Sequence, residues 1–310
     1  MSQTQLFKEL FSIRDWLRYA VSQFESSDVF FGHGTSNAYD EAVWLIFGFL
    51  HLPHDTIENF LDAHITSKEK KDLQFLIEKR INDKVPTAYL LNEAWLRDYK
   101  FYVDERVIIP RSLIAESLSE NLYPWIDDPE TIYSALDLCT GSGCLGIMMA
   151  HSFQNAEIDL VDLSDKALQV AQINVDQYGL DDRIELIRSD LFDALKGKKY
   201  DLIISNPPYV NEASVKNFPM EFLKEPSMAL GSGDDGLDHT IRIIHEAKEY
   251  LNDGGMLIVE IGHNKEALLD KFPALQFQWL DVSLGNDLSL IHISEPTRQA
   301  EISYAVFCLK

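Results

Sequence analysis

The chain has 310 residues, 46% of them apolar and 11% aromatic, enough to bury a core in one large or two modest domains and too many for overall disorder. Lys and Arg number 27 against 50 Asp and Glu, a formal charge of −23 without a basic run. Such a field repels phosphate backbones, so either it favours a basic macromolecular partner over DNA or it serves solubility alone.

The opening segment, Met1-Ser2-Gln3-Thr4-Gln5-Leu6, lacks the basic start and apolar centre of an export signal. The longest apolar stretch, Ala42 to Leu52, is interrupted by Gly48 and His51 and falls short of the ~20 residues that span a bilayer. A soluble, cytoplasmic protein away from membranes is expected. Three cysteines, Cys139, Cys144 and Cys308, are an odd count suited to a reducing compartment, and their spacing matches no zinc site.

From Gln5 to about Ala88 the pattern is helical. Leu6, Leu10, Ile13, Leu17 and Val21 recur at helical spacing, as do Leu73, Leu76, Ile77 and Ile81. Asp40 is placed to cap a helix starting at Glu41, and Thr66-Ser67 with Glu69 to open another. Residues 1–90 are therefore expected to form a small helical domain. Residues 91–130 then bring aromatic and β-branched runs, Trp95 to Val103 and Arg106 to Ile109, with Asp104-Glu105 between them. This reads as a hairpin linker followed by a connecting helix.

From 131 to 310 strands and helices alternate as in a mostly parallel α/β sheet. Strands are expected at Tyr133 to Leu138, Glu157 to Val161, Ile184 to Ile187, Asp201 to Ser205 and Met256 to Ile261, with a helix from Gly236 to Leu251. Ligands of such sheets lie across the carboxyl ends of the strands.

The first of these strands ends in Asp137-Leu138-Cys139-Thr140-Gly141-Ser142-Gly143. Glycine permits a tight turn and close approach of the backbone to a ligand. Taken alone, the turn could equally serve a dinucleotide. Two details weigh against that. A carboxylate at Asp137 would oppose a pyrophosphate but could orient an ammonium group, and the turn lacks the third glycine of the dinucleotide fingerprint. The second strand ends in Asp162-Leu163-Ser164, where a carboxylate can accept both hydroxyls of a ribose. The third ends in Ser189-Asp190-Leu191-Phe192, where Asp190 could accept from an adenine amino group while Leu191 packs on the ring. Each acid singly is an ordinary strand-end or cap residue; the ordered set is specific.

The fourth strand runs into Asn206-Pro207-Pro208-Tyr209. The Asn206 side-chain carbonyl and the Pro207 peptide carbonyl are two acceptors on a backbone that consecutive prolines restrain, and two acceptors at fixed geometry suit one planar NH2 group. Tyr209 offers a flat face for an amide or a base. In isolation the pair of prolines could simply end a strand.

Asp137 to Gly143, Asp162, Asp190 and Asn206 to Tyr209 together resemble the Rossmann-like class I S-adenosylmethionine-dependent methyltransferases that modify planar nitrogens. Glu225 to Leu230, Gly233 to Leu237 and Glu260-Ile261-Gly262 resemble the protein N5-glutamine methyltransferase family. Within it, Gly32 to Ala42 and Phe101 to Val107 are similar to the branch whose substrate is the large-subunit ribosomal protein L-three, and the release-factor branch is the near relative. The resemblance implies an α/β methyltransferase core carrying a helical substrate-recognition domain, with S-adenosyl-L-methionine as cofactor and a glutamine side chain in a basic protein as substrate. It implies cofactor contacts at Asp137, Cys139, Thr140, Gly141, Gly143, Asp162, Leu163, Asp190, Leu191 and Asn206. Substrate contacts are implied at Asn206, Pro207, Pro208 and Tyr209, with Asn206, Pro207 and Tyr209 acting in transfer. Adenine-N6 methylation of DNA is the main rival; it would need phosphate-gripping cations that this composition lacks.

Arg111 is expected either at the carboxylate of the methionine moiety or on the acidic surface, and His33 as a satisfied loop histidine. After Asp287 the run Leu288 to Pro296 departs from the family pattern. Glu301 to Leu309 nevertheless has strand character and is expected to fill the final, antiparallel position of the sheet.

Overall fold

The computed structural model describes the backbone of residues 3–280 and 305–309 and the side chains of residues 6–280. The atypical run Leu288 to Pro296 lies outside the described residues. The chain divides into two compact units. One comprises Met1–Ala94 together with Pro219–Lys224; the other comprises Trp95–Phe218 and Glu225–Lys310.

The first unit is built on helices Ile13–Glu25, Ala38–Phe49 and Ser67–Asn82. Their apolar faces meet in a core that includes Trp16, Phe24, Leu45, Phe47, Leu73 and Ile77. Thr66 opens the third helix as expected, with Glu69 completing a capping box. The second helix begins three residues earlier than the sequence predicts. Asn37 is its cap, accepting from the Asp40 backbone N–H at 2.9 Å, and Asp40 sits inside the first turn, where a negative charge complements the helix dipole.

At the boundary, β1 (Ala94–Leu96) and β2 (Tyr99–Phe101) form a hairpin shorter than expected. It turns at Arg97, in a left-handed conformation, rather than at Asp104-Glu105. Arg106 to Ile109 form no strand. Asp104 accepts from the backbone N–H and the guanidinium of Arg106, and this local bonding competes with a sheet ladder.

The second unit is a seven-stranded parallel sheet: β3 (Ser134–Leu138), β4 (Glu157–Asp162), β5 (Ile184–Arg188), β6 (Tyr200–Ser205), β7 (Leu251–Glu260), β8 (Gln278–Trp279) and β9 (Ala305–Leu309). The spatial order is β5-β4-β3-β6-β7-β9-β8. The chain order reverses at β3, which puts a topological switch point beside the glycine turn. Helices Cys144–Ser152, Asp165–Tyr178 and Asp238–Glu246 cover the sheet, whose central strands β3, β4 and β6 are buried on both faces. β7 starts at Leu251, before the expected Met256, and takes in Asn252 to Gly255 as a register shift against β6.

One expectation is corrected here. β9 joins the sheet, but between β7 and β8 and not at its edge, and it runs parallel to both, not antiparallel. An antiparallel pair can be closed by a short turn, whereas a parallel one needs a connection of a dozen or more residues. The roughly two dozen residues between β8 and β9 exceed that minimum.

Candidate active site

Because β3 to β7 are parallel, their carboxyl ends lie along one edge of the sheet. Asp190 follows β5, Asp162 ends β4, the glycine turn follows β3, Asn206 follows β6 and Glu260 ends β7. The sequence-predicted acids and the tetrapeptide are thus brought to one edge by topology alone.

The glycine turn leaves β3 through Cys139, Gly141 and Gly143, all at positive φ. Gly143 serves as N-cap of helix Cys144–Ser152 without a side-chain bond. Inside that helix a Cβ on Gly146 would come within 1.9 Å of Leu160, so glycine lets the helix lie close on the sheet. Asp137 is buried. Its Oδ2 accepts from the Thr140 hydroxyl at 2.6 Å and the Gly146 N–H at 3.0 Å, while Oδ1 is buried without any hydrogen-bond partner. Burial pushes this carboxyl up to about 7, against the lowering effect of the two donors.

Asp162 stands beside it. Its two oxygens accept from the backbone N–H groups of Gly141 (3.0 Å) and Ser164 (2.8 Å), tying the end of β4 to the glycine turn. Burial raises its carboxyl also, although these bonds oppose the shift. Next to it Leu163 is exposed, an apolar side chain offered at a strand end. Asp190 is exposed and engaged: Arg242 donates to one carboxylate oxygen at 2.7 Å, and the other oxygen has no protein donor among the described residues. Leu191 is buried and, at positive φ, turns the chain sharply below it. Cys139 and Cys144 are free thiols whose ionisation burial disfavours, that of Cys144 being pushed up to about 12. They behave as apolar filler, not a redox pair.

The tetrapeptide has a different character. Pro207 and Pro208 are buried and Asn206 half-buried. Among the described residues, neither the Asn206 side-chain amide nor the Pro207 carbonyl takes part in a hydrogen bond. Both expected acceptors are therefore available. Tyr209 is anchored on three sides. Its hydroxyl donates to Glu260 Oε1 at 3.1 Å, and its carbonyl accepts from the Asn264 amide at 2.7 Å. A Cβ on Gly262 would strike its ring at 2.6 Å. Burial beside the Glu260 carboxylate disfavours the phenolate strongly. Ring, carbonyl and hydroxyl of Tyr209 are thus each held in place.

Arg111 is paired with an acid of the sheet unit. Its guanidinium makes a two-point pair with the buried carboxylate of Glu225, at 2.6 and 2.7 Å, and Glu225 also accepts from the Ile109 N–H at 3.0 Å. In the first unit, His33 is buried with its ring 4.2 Å from that of Phe222. Sequence reasoning missed the cluster beside it. Arg80, fully buried, donates to Glu41 at 2.6 Å, to Glu221 at 3.0 Å and to the Phe30 carbonyl at 2.7 Å. Glu41 also accepts from Thr87 and Thr35. The available signal was the place of Arg80 three residues after Ile77, on the apolar stripe of its helix.

Residues 116–236 match the family model of the methyltransferase small domain. The ribosomal protein uL3 glutamine methyltransferase of Neisseria gonorrhoeae is 53% identical over 282 residues, covering 91% of this chain and 94% of its own length. Its namesake in Burkholderia pseudomallei is 49% identical over 92% of this chain and 95% of its own. That of Francisella tularensis is 44% identical over 92% and 91%. With strand-end acids, an open pair of acceptor carbonyls and identity at this level over nearly the whole length, the chain belongs to the ribosomal protein uL3 glutamine methyltransferase family.

Proposed function

We propose that this chain transfers a methyl group from S-adenosyl-L-methionine to the side-chain amide nitrogen, N5, of a glutamine in ribosomal protein uL3. The observation that carries the reading is the pair of open acceptors at Asn206 and Pro207, one strand from a buried Asp137 oxygen that has no protein donor.

The donor chemistry of the site fits this cofactor. Asp137 Oδ1 suits the ammonium of the methionine moiety, the Asp162 carboxylate suits the ribose hydroxyls, and the second oxygen of Asp190 suits the adenine amino group. Leu163 and Leu191 would supply apolar contacts to the ring, and Cys139, Thr140, Gly141 and Gly143 form the turn that would hold the methionine moiety. When bound, S-adenosylmethionine supplies an electrophilic sulfonium methyl.

The chain's own residues solve the problem of the nucleophile. An amide nitrogen is weak because its lone pair is delocalised into the carbonyl. Asn206 Oδ1 and the Pro207 carbonyl each accept one N–H of the substrate NH2 and so fix its plane and its approach. As the N–C bond forms, the nitrogen gains positive character, and both hydrogen bonds strengthen in the transition state. Tyr209 and Pro208 wall the amide. The N–H acidifies on methylation and loses its proton to water afterwards, so no general base is required.

The helical unit is read as the substrate-holding part, and the net charge of −23 suits a basic ribosomal protein better than a nucleic acid. No helix of the described residues is long and apolar enough to cross a membrane. The reaction is placed in the cytoplasm, where ribosomal proteins are made. The test uses purified chain, labelled S-adenosylmethionine, and uL3, a release factor and DNA as competing acceptors. Label is expected on a uL3 glutamine, and Asn206→Ala is expected to lower kcat at least ~100-fold, a loss larger than any accompanying loss of cofactor affinity. Label confined to a release factor or to DNA, or surviving in Asn206→Ala, rejects the reading.

A further inference from the structure

The buried carboxylate at the end of β7 is not explained by cofactor or substrate contacts. Glu260 is 3% exposed, and all its partners come from segments distant in sequence. Oε2 accepts from the Ser112 hydroxyl at 2.6 Å and the Leu113 N–H at 3.1 Å, and Oε1 accepts from the Tyr209 hydroxyl at 3.1 Å. Ser112 and Leu113 follow directly on Arg111, which grips Glu225 with two bonds. The strap 109–113 therefore holds two buried acids, and through one of them it reaches the last residue of the acceptor tetrapeptide.

The rest of Tyr209 is set for a single orientation. Gly262, two residues after Glu260, leaves room for the ring; Gly236 leaves room for the Tyr209 carbonyl, which a Cβ there would approach to 2.2 Å. Carbonyl and ring are thus placed by packing and by Asn264, and among the described residues the hydroxyl is placed by Glu260 alone. A buried carboxylate is costly unless its acceptors are filled. Burial does hold this carboxyl above its ordinary range, with Ser112, Leu113 and Tyr209 opposing the shift.

We infer that Glu260 is a positioning residue: together with Ser112 it locks the Tyr209 ring as the wall of the acceptor pocket, and so fixes the substrate amide against Asn206 and Pro207. The inference rests on the functional reading above. It concerns the orientation of the acceptor half only, so cofactor binding lies outside its reach.

The test compares Tyr209→Phe, Glu260→Ala, Glu260→Gln and the double variant Tyr209→Phe/Glu260→Ala in steady-state methylation of uL3, with cofactor affinity measured separately. Tyr209→Phe and Glu260→Ala are each expected to lower kcat about tenfold, with cofactor affinity within twofold of the parent. Glu260→Gln, which keeps a hydrogen-bonding partner for the phenol, is expected to retain at least a third of kcat. The double variant is expected to fall no lower than about twofold below either single change, because both break one interaction. Losses that multiply, or a fall in cofactor affinity parallel to that in kcat, overturn the proposal. If Glu260→Ala does not fold, an unaltered kcat in Tyr209→Phe overturns it alone.

A readout independent of activity separates this proposal from the functional one. With 3-fluorotyrosine at position 209, the parent is expected to give one narrow fluorine resonance and Ser112→Ala a broadened or split one. A narrow resonance in both rejects the lock whatever the substrate. A locked ring in a chain that leaves uL3 unmethylated rejects the function and keeps the lock.

Discussion

Two clusters of buried acids, one in each unit, differ in a single respect. In the helical unit Glu41 and Glu221 share the guanidinium of Arg80, and threonine hydroxyls and the Phe30 N–H supply further donors. In the sheet unit Asp137 and Asp162 are held only by neutral donors, among the described residues, and one Asp137 oxygen has none. The first cluster is complete without a ligand and organises the fold. The second leaves one Asp137 oxygen without a protein donor among the described residues. Buried acidity by itself does not mark a functional site; acidity left uncompensated does.

This contrast is most strongly broken at Arg80. Arg80→Ala would leave two buried carboxylates without their cation, and urea unfolding should show a loss of about 3–5 kcal/mol, the usual cost of removing one partner from a buried pair. An intact urea midpoint would mean that the cluster is wetter than its burial implies.

Asp137 should respond in the opposite sense. Its folded carboxyl titrates near 7, above the unfolded value of 3.8, so its contribution to apo-protein stability is full below about pH 4 and is lost as pH rises through about 7. Asp137→Asn is therefore expected to stabilise the ligand-free chain at pH 8 by about 1–3 kcal/mol in differential scanning calorimetry, and not at pH 4. The same substitution should weaken cofactor binding. In the parent, cofactor affinity should fall by up to about tenfold per pH unit below 7, as the carboxyl takes up its proton; the Asn variant should be flatter. A parent and variant with superimposable pH profiles would remove Asp137 from the ammonium site.

At Asp162 a smaller effect is expected. Asp162→Ala removes an acceptor from the ribose site and leaves Gly141 N–H and Ser164 N–H to find water, so calorimetric titration should show cofactor affinity reduced by roughly 1–3 kcal/mol. The smallest change belongs to Arg242→Gln. Its pairs with Asp190, Asp193 and Glu246 lie near the surface, where such pairs contribute about 0–1 kcal/mol, so melting should barely shift. A large loss of cofactor affinity in that variant would show that Asp190 depends on Arg242 for its orientation.

What could be read ahead of the structure was local. The glycine turn, the strand-end acids and the prolines after β6 act within a few residues of one another, and parallel strand topology then carries them to one edge. The Thr66 cap was legible for the same reason. The Asn37 cap was not, because Asp40 satisfies the same pattern three residues later and only backbone geometry separates the two. The hairpin turn failed for a similar reason: Asp104 looks like a turn residue, and it is one, but its bonds to Arg106 end the strand pattern instead of joining two strands.

The sequence by itself determined the alternating α/β core and the acids, glycine turn and prolines that gather at its carboxyl edge, because each depends on periodicity or on neighbours within a few residues. Tertiary structure alone decided that Tyr209 is tied to Glu260, 51 residues away, that Arg111 is committed to Glu225, 114 residues away, and that Arg80 is shared with Glu221, 141 residues away. It also decided that β9 runs parallel to its neighbours. These pairings are settled by which surfaces the folded chain brings together and by the cost of burying a charge or a backbone group without a partner, and neither is written in local pattern.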